Sequence, residues 1–329
     1  MTSTPRSGLK FMFLRRLRRL GALIGVLLLV LLGVYFFAPQ WLLRAGYTLQ
    51  AWDANLSGRS VDVGGVRWVY YEGGHGPTLV LLHGFGGSRQ NWVPTAKFLA
   101  RDFHVIIPDL PGYGSSSSVP ASEGGIHGEA RLLAGFVGAL GLKHFGLVGH
   151  SLGGAIAGVY AAAHPQQVFG LALVDSAGLP YPPTPLARAM LAGQDPFVFD
   201  DRAGLRKLLA LVFVHPPYLL PRLADALVAE NKARRAFLEG VFARLRTPAD
   251  ATALVPVLPK LTMPVLGLWC KDDQVVPPSA MAALRQGLSA TPQISMTELG
   301  GCNHMPNVEQ PQETAQVLTQ FYLPPATGG

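Results

Sequence analysis

The stretch Gly149-His150-Ser151-Leu152-Gly153 decides the fold of this chain. An apolar run from Phe145 to Gly149 leads into the serine, and a run of small residues from Leu152 to Ala163 follows it. G-x-S-x-G between a strand and a helix is typical of a turn too tight for bulky neighbours, so glycine stands two positions away on either side. Such a turn exposes the hydroxyl at the carboxyl edge of a sheet, beside the amides of a helix N-terminus. Ser151 is therefore the candidate nucleophile.

Short apolar runs without alternation flank this turn in both directions. Such runs are typical of parallel strands that helices cover on both faces, and helical segments such as Ala130 to Leu140 lie between them. The runs are Thr78–His83, His104–Pro108, Phe145–Gly149, Leu171–Val174 and Pro264–Trp269. Val61 to Tyr71 alternates instead, with Gly64-Gly65 as the turn of a hairpin. The pattern predicts an α/β fold with a doubly wound, mostly parallel sheet.

The alternation of strands and helices stops between residues 181 and 261. A cluster of prolines opens this segment, and several amphipathic or apolar helical runs follow, including Leu205 to Val214 and Leu219 to Leu238. An insertion of this kind between two strands predicts a helical cap. Its apolar residues either line a groove for substrate or form the core of the cap itself. They are Leu208, Leu209, Leu211, Val212, Phe213, Leu219 and Leu220.

A second glycine-rich loop, His83-Gly84-Phe85-Gly86-Gly87, directly follows an apolar strand. Glycines there let the backbone approach a substrate carbonyl, so the N–H of Phe85 can join that of Leu152 as an oxyanion hole. We expect the imidazole of His83 to hold the loop through backbone hydrogen bonds rather than to take part in catalysis.

A serine nucleophile needs a base and an acid, and both candidates lie late in the chain. His304 stands in a glycine-containing loop after the predicted last strand, Ile294 to Leu299, and is the expected base. Asp273, three residues after the end of the preceding strand, is the expected acid, with Asp272 as a solvated neighbour. Asp175, at the end of an earlier strand, is the alternative acid.

The basic charge of the chain precedes a long apolar segment. The formal net charge is +7, and the first nineteen residues hold six basic residues and no acid: Arg6, Lys10, Arg15, Arg16, Arg18 and Arg19. The remainder carries only +1 and no basic stripe interleaved with aromatics, which argues against nucleic-acid binding. Leu20 to Leu43 is uncharged and covers the ~20 residues that a membrane-spanning helix needs.

We expect this segment to be an uncleaved signal anchor. Basic residues stay on the cytoplasmic side, so the N-terminus is expected inside and everything after Arg44 outside, on the periplasmic face of the inner membrane if the source is bacterial. A cleaved signal peptide is the alternative. The apolar stretch is long, however, and Phe36 and Pro39 flank Ala38 unfavourably for cleavage.

The chain has two cysteines, too few for a disulfide scaffold and without metal-ligand spacing. Cys270 ends the strand before the acid loop, and Cys302 lies two residues before His304. We expect two buried free thiols. The alternative is a disulfide that ties the acid loop to the base loop in an oxidising compartment.

These motifs stand in the order found in the α/β-hydrolase superfamily, which the chain resembles from about Val61 to Tyr322. The chain also resembles the membrane-anchored monoacylglycerol lipases. That closer resemblance rests on the anchor and on three segments, Gly153-Gly-Ala-Ile-Ala-Gly-Val-Tyr-Ala-Ala162, Ala177-Gly-Leu179 and Arg235-Ala-Phe-Leu-Glu239. It implies hydrolysis of monoacylglycerols or lysolipid-like esters through an acyl-enzyme, with no cofactor and no metal. Cys270 is a departure, because the family usually carries glycine there.

The expected organisation follows from these assignments. It comprises a basic cytoplasmic N-terminus (1–19), the anchor (20–43), a linker (44–60), the first part of the core (61–180), the cap (181–261), the second part of the core (262–323) and a tail (324–329). Two other functions stay open: another reaction of the same fold, such as carbon–carbon bond hydrolysis or haloperoxidase-like activity, and a non-catalytic membrane-bound binding protein. Dehalogenase and epoxide hydrolase activities are disfavoured, because they use an Asp nucleophile where this chain has Ser151.

Overall fold

The computed structural model describes residues 6–119, 125–289 and 291–323. Predictions made for residues 1–5 and for the tail at 324–329 lie outside these ranges. Within them, one sheet of eight strands has the order β1-β2-β4-β3-β5-β6-β7-β8. The strands are β1 Leu56–Val63, β2 Val66–Gly74, β3 Thr78–Leu82, β4 His104–Pro108, β5 Phe145–His150, β6 Val168–Val174, β7 Val265–Cys270 and β8 Ile294–Leu299. Strands β3 to β8 pair in parallel, and β1 and β2 are antiparallel, which confirms the predicted fold class.

The strands read as continuous apolar runs because helices cover both faces of the sheet. Successive residues of β3 enter different cores: Val80 and Leu82 join one, and Leu79 and Leu81 join the other. Helices α4 (Ile126–Ala139) and α5 (Leu152–Ala163) cover the first face, and α3 (Val93–Leu99) and α13 (Pro311–Tyr322) cover the second. The core also contains α11 Ala280–Gly287 and α12 Pro306–Glu309.

The N-terminal segment forms two helices rather than one span and a linker. Helix α1 covers Arg6–Phe37, and its apolar part, Phe11–Phe37, is long enough to cross a membrane. The predicted span, Leu20 to Leu43, is therefore interrupted at Ala38. Pro39 causes this break, because proline lacks an N–H and disfavours helical backbone in the residue before it. Helix α2, Pro39–Asp53, starts at that proline.

The predicted linker at 44–60 is also wrong in detail. Most of it belongs to α2, and β1 begins at Leu56, five residues before the predicted hairpin start at Val61. Helix α2 packs against β1 and against a helix of the cap, α8 (Pro221–Ala233). The predicted hairpin turn stands at Gly64-Gly65, where both residues have positive φ angles (58° and 81°).

Five helices lie between β6 and β7: α6 Pro185–Leu191, α7 Arg202–Val212, α8 Pro221–Ala233, α9 Arg235–Leu245 and α10 Pro248–Ala251. One helix was predicted over Leu219 to Leu238, and the structure instead breaks it at Arg234. No proline or glycine explains this break. The guanidinium of Arg234 donates to the carbonyl of Gly114 in the core, so a tertiary contact accompanies the change of direction.

The cap also rests on the N-terminal helices. The guanidinium of Arg222, near the start of α8, lies over the ring of Phe36, 5.6 Å from its centroid. The backbone N–H of Arg222 donates to the hydroxyl of Tyr35 at 3.5 Å. The end of the apolar helix therefore contacts the cap directly.

Candidate active site

Ser151 sits in the tight turn between β5 and α5. Its backbone has φ 53° and ψ −118°, a left-handed conformation that is strained for any residue but glycine. Its N–H donates to Val174 O at 2.9 Å, and its own carbonyl accepts from Gly154 and Ala177. A Cβ on Gly153 would lie 2.5 Å from the carbonyl oxygen of His83, so the turn tolerates no side chain there. Neighbouring strands therefore hold the strained serine in place.

The three residues predicted for the triad form one hydrogen-bonded chain. His304 Nε2 lies 2.9 Å from Ser151 Oγ, and His304 Nδ1 lies 2.9 Å from Asp273 Oδ2. The carboxylate can only accept, so Nδ1 carries the proton and Nε2 is free to accept from the serine hydroxyl. Asp273 Oδ1 accepts from the N–H groups of Val275 and Val276 at 2.8 and 3.0 Å. Asp273 is thereby locked facing the imidazole.

Two residues that the sequence reasoning missed hold the loop of His304. Asn303 accepts from Gln274 N at 2.9 Å and donates to Leu211 O at 2.8 Å, so it joins the acid loop, the base loop and α7 of the cap. Glu309 accepts from the N–H of Asn303 at 2.8 Å and from that of Val214 at 2.7 Å. Asn303 directly precedes His304 in the sequence, and this position was the signal that could have indicated its role in holding the loop.

The glycine-rich loop after β3 packs directly on the serine turn. A Cβ on Gly84 would lie 2.9 Å from Ser151 Cβ, so only glycine allows this approach. Within the described ranges, the backbone N–H groups of Phe85 and Leu152 have no hydrogen-bond acceptor. His83 engages both ring nitrogens, since Nδ1 lies 2.8 Å from Gly84 O and Nε2 accepts from Leu110 N at 3.0 Å. Burial lowers the pKa of His83, so the ring is neutral and supports the loop.

A buried ion pair between Arg89 and Asp109 stabilises the same glycine-rich loop. The carboxylate of Asp109 is wholly buried, and it accepts from the Arg89 guanidinium, from Arg89 N at 2.7 Å and from Ser115 N at 2.7 Å. With three charge-assisted or backbone donors, the carboxylate is compensated in the interior. Asp109 thus joins the loop that carries Phe85 to the loop around Gly114.

His150 also belongs to the site. Its Nε2 lies 2.6 Å from the backbone carbonyl of His304, so Nε2–H donates there. Burial, and secondly the proximity of His304, lower the pKa of His150 to about 3. His150 is therefore neutral, and its hydrogen bond to the carbonyl of His304 stabilises the loop that carries the base. Ring nitrogens of His150 and His304 and a carboxyl oxygen of Asp175 lie within 4.8 Å of one another, but a metal ion there would displace the hydrogen bonds just described.

The alternative acid, Asp175, is brought next to the triad but does not contact the imidazole through a hydrogen bond. It directly follows β6, and its Oδ1 accepts from Cys270 N at 2.9 Å. Asp272, the expected solvated neighbour of Asp273, is exposed.

Cys270 and Cys302 are joined by a disulfide, with Cα atoms 5.4 Å apart, so the expectation of two free thiols is wrong. Strand β7 and the loop after β8 lie side by side, which brings the two residues within the Cα separation a disulfide needs. Both residues are fully buried. The bridge ties the end of the acid strand to the loop that carries His304.

A cavity of about 1730 Å³ contains the serine and extends beneath the cap. Five of the seven cap residues singled out in the sequence line it, namely Leu208, Leu209, Val212, Phe213 and Leu219, whereas Leu211 and Leu220 do not. Phe36 at the end of α1 and Pro39, Leu43 and Tyr47 of α2 line it as well. Charged residues such as Arg44, Asp225 and Glu230 also line it, so the cavity is apolar in its larger part, and it extends from the serine to the end of the apolar helix.

The sequence model of the α/β-hydrolase fold family matches residues 77–311, which include Ser151, Asp273 and His304. The chain belongs to the α/β-hydrolase fold family. This α/β-hydrolase is 28% identical over 319 residues to monoacylglycerol lipase ABHD6 of Bos taurus, with 92% of each chain covered. The resemblance to membrane monoacylglycerol lipases is therefore confirmed.

Two further relatives of this α/β-hydrolase carry lipase names. Lipase 1 of Psychrobacter immobilis is 31% identical over 264 residues, which cover 78% of this chain and 81% of the relative. The crystal structure of a membrane phospholipase A, described as a bacterial virulence factor, superposes with a TM-score of 0.82 at 37% identity. That comparison covers 93% of this chain and 98% of the phospholipase.

Proposed function

We propose that this protein hydrolyses carboxylic esters of lipids, with Ser151 as nucleophile, His304 as general base and Asp273 as the acid of the triad. The observation that carries the proposal is the chain of two 2.9 Å hydrogen bonds from Ser151 through His304 to Asp273. Each group already has the orientation that the reaction needs, because the nucleophile donates to the base and the acid fixes the tautomer of the base.

In the proposed reaction, His304 Nε2 removes the proton of Ser151 while Oγ attacks the ester carbonyl. The negative charge that develops on the carbonyl oxygen is stabilised by the N–H groups of Phe85 and Leu152. The protonated imidazole, stabilised by Asp273, then gives its proton to the leaving alcohol, and a serine ester remains. Water, deprotonated by His304, attacks this ester and releases the fatty acid and free Ser151.

The apolar cavity and the lipase relatives support a lipid substrate. We infer a monoacylglycerol or another lysolipid-like ester, because the relative ABHD6 is a monoacylglycerol lipase. A diacyl phospholipid is the second candidate, and the 37% identity to a membrane phospholipase A favours it. The two classes differ in the volume and charge that the site must accept beside the scissile acyl chain.

We also propose that α1 anchors the protein with its N-terminus in the cytoplasm and the hydrolase on the opposite side. Arg15, Arg16, Arg18 and Arg19 precede the uncharged run that begins at Leu20, as the positive-inside rule requires. Phe36, at the end of α1, lines the cavity. In this orientation that end of α1 lies at the outer leaflet, so lipids would enter the cavity from there. A C-terminal alkaline phosphatase fusion in a bacterial host tests this, since the phosphatase is active only outside the cytoplasm. If the phosphatase fusion is inactive and a C-terminal fusion to a reporter that works only in the cytoplasm is active, the orientation is opposite to the one proposed.

The activity is tested with purified full-length protein in detergent on a monoacylglycerol series, on diacyl phospholipids and on p-nitrophenyl esters of increasing acyl length. Wild type is compared with Ser151→Ala, His304→Ala and Asp273→Asn. We expect long-chain esters to be preferred and each variant to lose at least about 10³-fold in kcat. Retained turnover in Ser151→Ala would contradict the proposed nucleophile. Inactivity of wild type on every ester would redirect the search to carbon–carbon bond hydrolysis or to binding.

A further inference from the structure

We propose that Asp175 is a second acid of this site, a positioning residue that forms with Asp273 a buried pair carrying one negative charge directed at His304. The proposal rests on the triad function above and goes beyond it. The triad accounts for Asp273 alone, and it leaves unexplained why a second carboxyl lies in the same pocket.

The placement of Asp175 is the first argument. The residue directly follows β6, next to β7, and its side chain is completely buried. Its backbone has φ 43°, a left-handed conformation that costs free energy in a residue other than glycine, and N–H donation to Leu268 O holds it there. A strained backbone that aims a polar side chain into a pocket is a feature of functional sites more than of structural ones.

The hydrogen bonding of Asp175 is the second argument. Oδ1 accepts from Cys270 N, whereas Oδ2 is buried and has no partner among the described residues. A buried carboxylate with an unsatisfied oxygen is costly. A protonated Oδ2 removes the charge and provides a donor toward Asp273, the carboxylate whose charge acts on Asp175.

The electrostatics agree with this assignment. Burial, and secondly the negative charge of Asp273, raise the pKa of Asp175 well above its usual value. Two adjacent buried carboxyl groups do not both ionise, because each penalises the charge of the other. Asp273 is the member that keeps the charge, since it accepts from His304 and from two backbone N–H groups. Asp175 therefore holds the proton.

The pair has a measurable consequence when Asp273 is removed. In Asp273→Ala the neighbouring charge is gone and water enters the volume that the side chain leaves, so both causes that raise the pKa of Asp175, burial and the charge of Asp273, are weakened and Asp175 becomes the remaining anion. A carboxyl oxygen of Asp175 and a ring nitrogen of His304 are within 4.8 Å of each other. At that separation, a unit charge in a medium of effective dielectric constant about 20 stabilises the imidazolium by roughly a hundredfold in rate. Asp175 thus partly replaces Asp273.

The test is a double-mutant cycle on kcat for a p-nitrophenyl ester, with Asp175→Asn, Asp273→Ala and the double variant in full-length protein. Asparagine at 175 keeps an acceptor for Cys270 N and places an N–H donor where the proposed O–H would be, but it cannot ionise. Alanine at 273 avoids an amide that would donate to His304 Nδ1 and fix the wrong tautomer. Rates are normalised to the folded fraction by thermal unfolding, and kcat and KM are determined separately.

We expect Asp175→Asn alone to lower kcat by about tenfold or less, because Asp273 still orients and stabilises the imidazole. In the Asp273→Ala background the same substitution lowers kcat by roughly a further hundredfold with little change in KM. Equal effects of Asp175→Asn in both backgrounds would overturn the proposal, and so would loss of activity in folded Asp175→Asn alone. Inactive wild type would instead refute the proposed function.

Infrared difference spectroscopy reports the protonation state of Asp175 directly. It requires neither Asp273→Ala nor the double variant. Wild type minus Asp175→Asn is expected to contain the C=O band of a protonated carboxylic acid at pH 7. A carboxylate band in its place would overturn the proposal even if the double variant fails to fold.

Discussion

Removal of the disulfide between Cys270 and Cys302 is predicted to destabilise the hydrolase by about 4–5 kcal/mol. The perturbation is the double variant Cys270→Ala/Cys302→Ala. The bridge closes a loop between residues 32 positions apart. In the chain-entropy treatment, a loop of this length restricts the unfolded chain by about 3–4 kcal/mol. Loss of two fully buried sulfur atoms adds a smaller term of roughly 1 kcal/mol.

The same variant is expected to lower kcat. Cys302 lies two residues before His304, and the N–H of Cys270 positions Asp175. Greater mobility of the base loop misplaces the imidazole, and a displacement of about 1 Å costs on the order of 10²-fold in rate.

The assay is guanidinium unfolding in detergent, followed by tryptophan fluorescence, because Trp269 is buried next to Cys270. Oxidised wild type, wild type unfolded with reductant and the double variant are compared, and the variant serves as the control that reductant should not affect. Two free thiols in denatured, unreduced wild type would refute the reasoning. An unfolding midpoint of the variant equal to that of wild type would also refute it.

Three further perturbations have expected outcomes. Gly153→Ala places a Cβ against the carbonyl oxygens of Leu82 and His83 and is expected to destabilise the fold by more than about 2 kcal/mol. Gly240 in α9 has open space around it, so Gly240→Ala is expected to stabilise the fold by about 0.5–1 kcal/mol. Thermal unfolding of both variants and wild type measures the two effects. Asn303→Ala separates the acid loop from the base loop and should lower kcat by about 10–100-fold at nearly constant KM, and an unchanged kcat would contradict this role. Burial raises the pKa of Glu129 from 4.5 to about 8, so between these pH values the folded protein binds one more proton than the unfolded chain. The free energy of unfolding therefore falls by roughly 3–5 kcal/mol as the pH rises from 4.5 to about 8. Glu129→Gln should remove that slope in denaturant unfolding at pH 5 and pH 9, and parallel slopes would contradict the assignment.

The sequence predicted most of the site because the chemistry of the site constrains local sequence. The turn at Ser151 requires glycine at both flanking positions, and parallel strands covered on both faces require apolar runs. These signals are local, and they placed Ser151, His304 and Asp273 on three loops at one edge of the sheet. In the structure the 2.9 Å hydrogen bond of His304 Nδ1 is made with Asp273 and not with Asp175, which favours Asp273 in a way that sequence order alone could not.

The features that the sequence could not predict depend on contacts between distant segments. The bridge between Cys270 and Cys302 follows from the pairing of β7 with β8, which sets the distance between residues far apart in sequence. The break at Arg234 accompanies a hydrogen bond to Gly114 and has no helix-breaking residue to announce it. The ordering of α2 likewise comes from its packing on the cap.

The identity of the nucleophile is the central claim, and covalent labelling tests it most directly. Full-length wild type and Ser151→Ala are treated with a fluorophosphonate probe, digested and mapped by mass spectrometry. The account predicts one modified peptide in wild type, with the adduct on Ser151, and no adduct at that position or elsewhere in the folded variant. Labelling of a different residue, or equal labelling of both proteins, would contradict it.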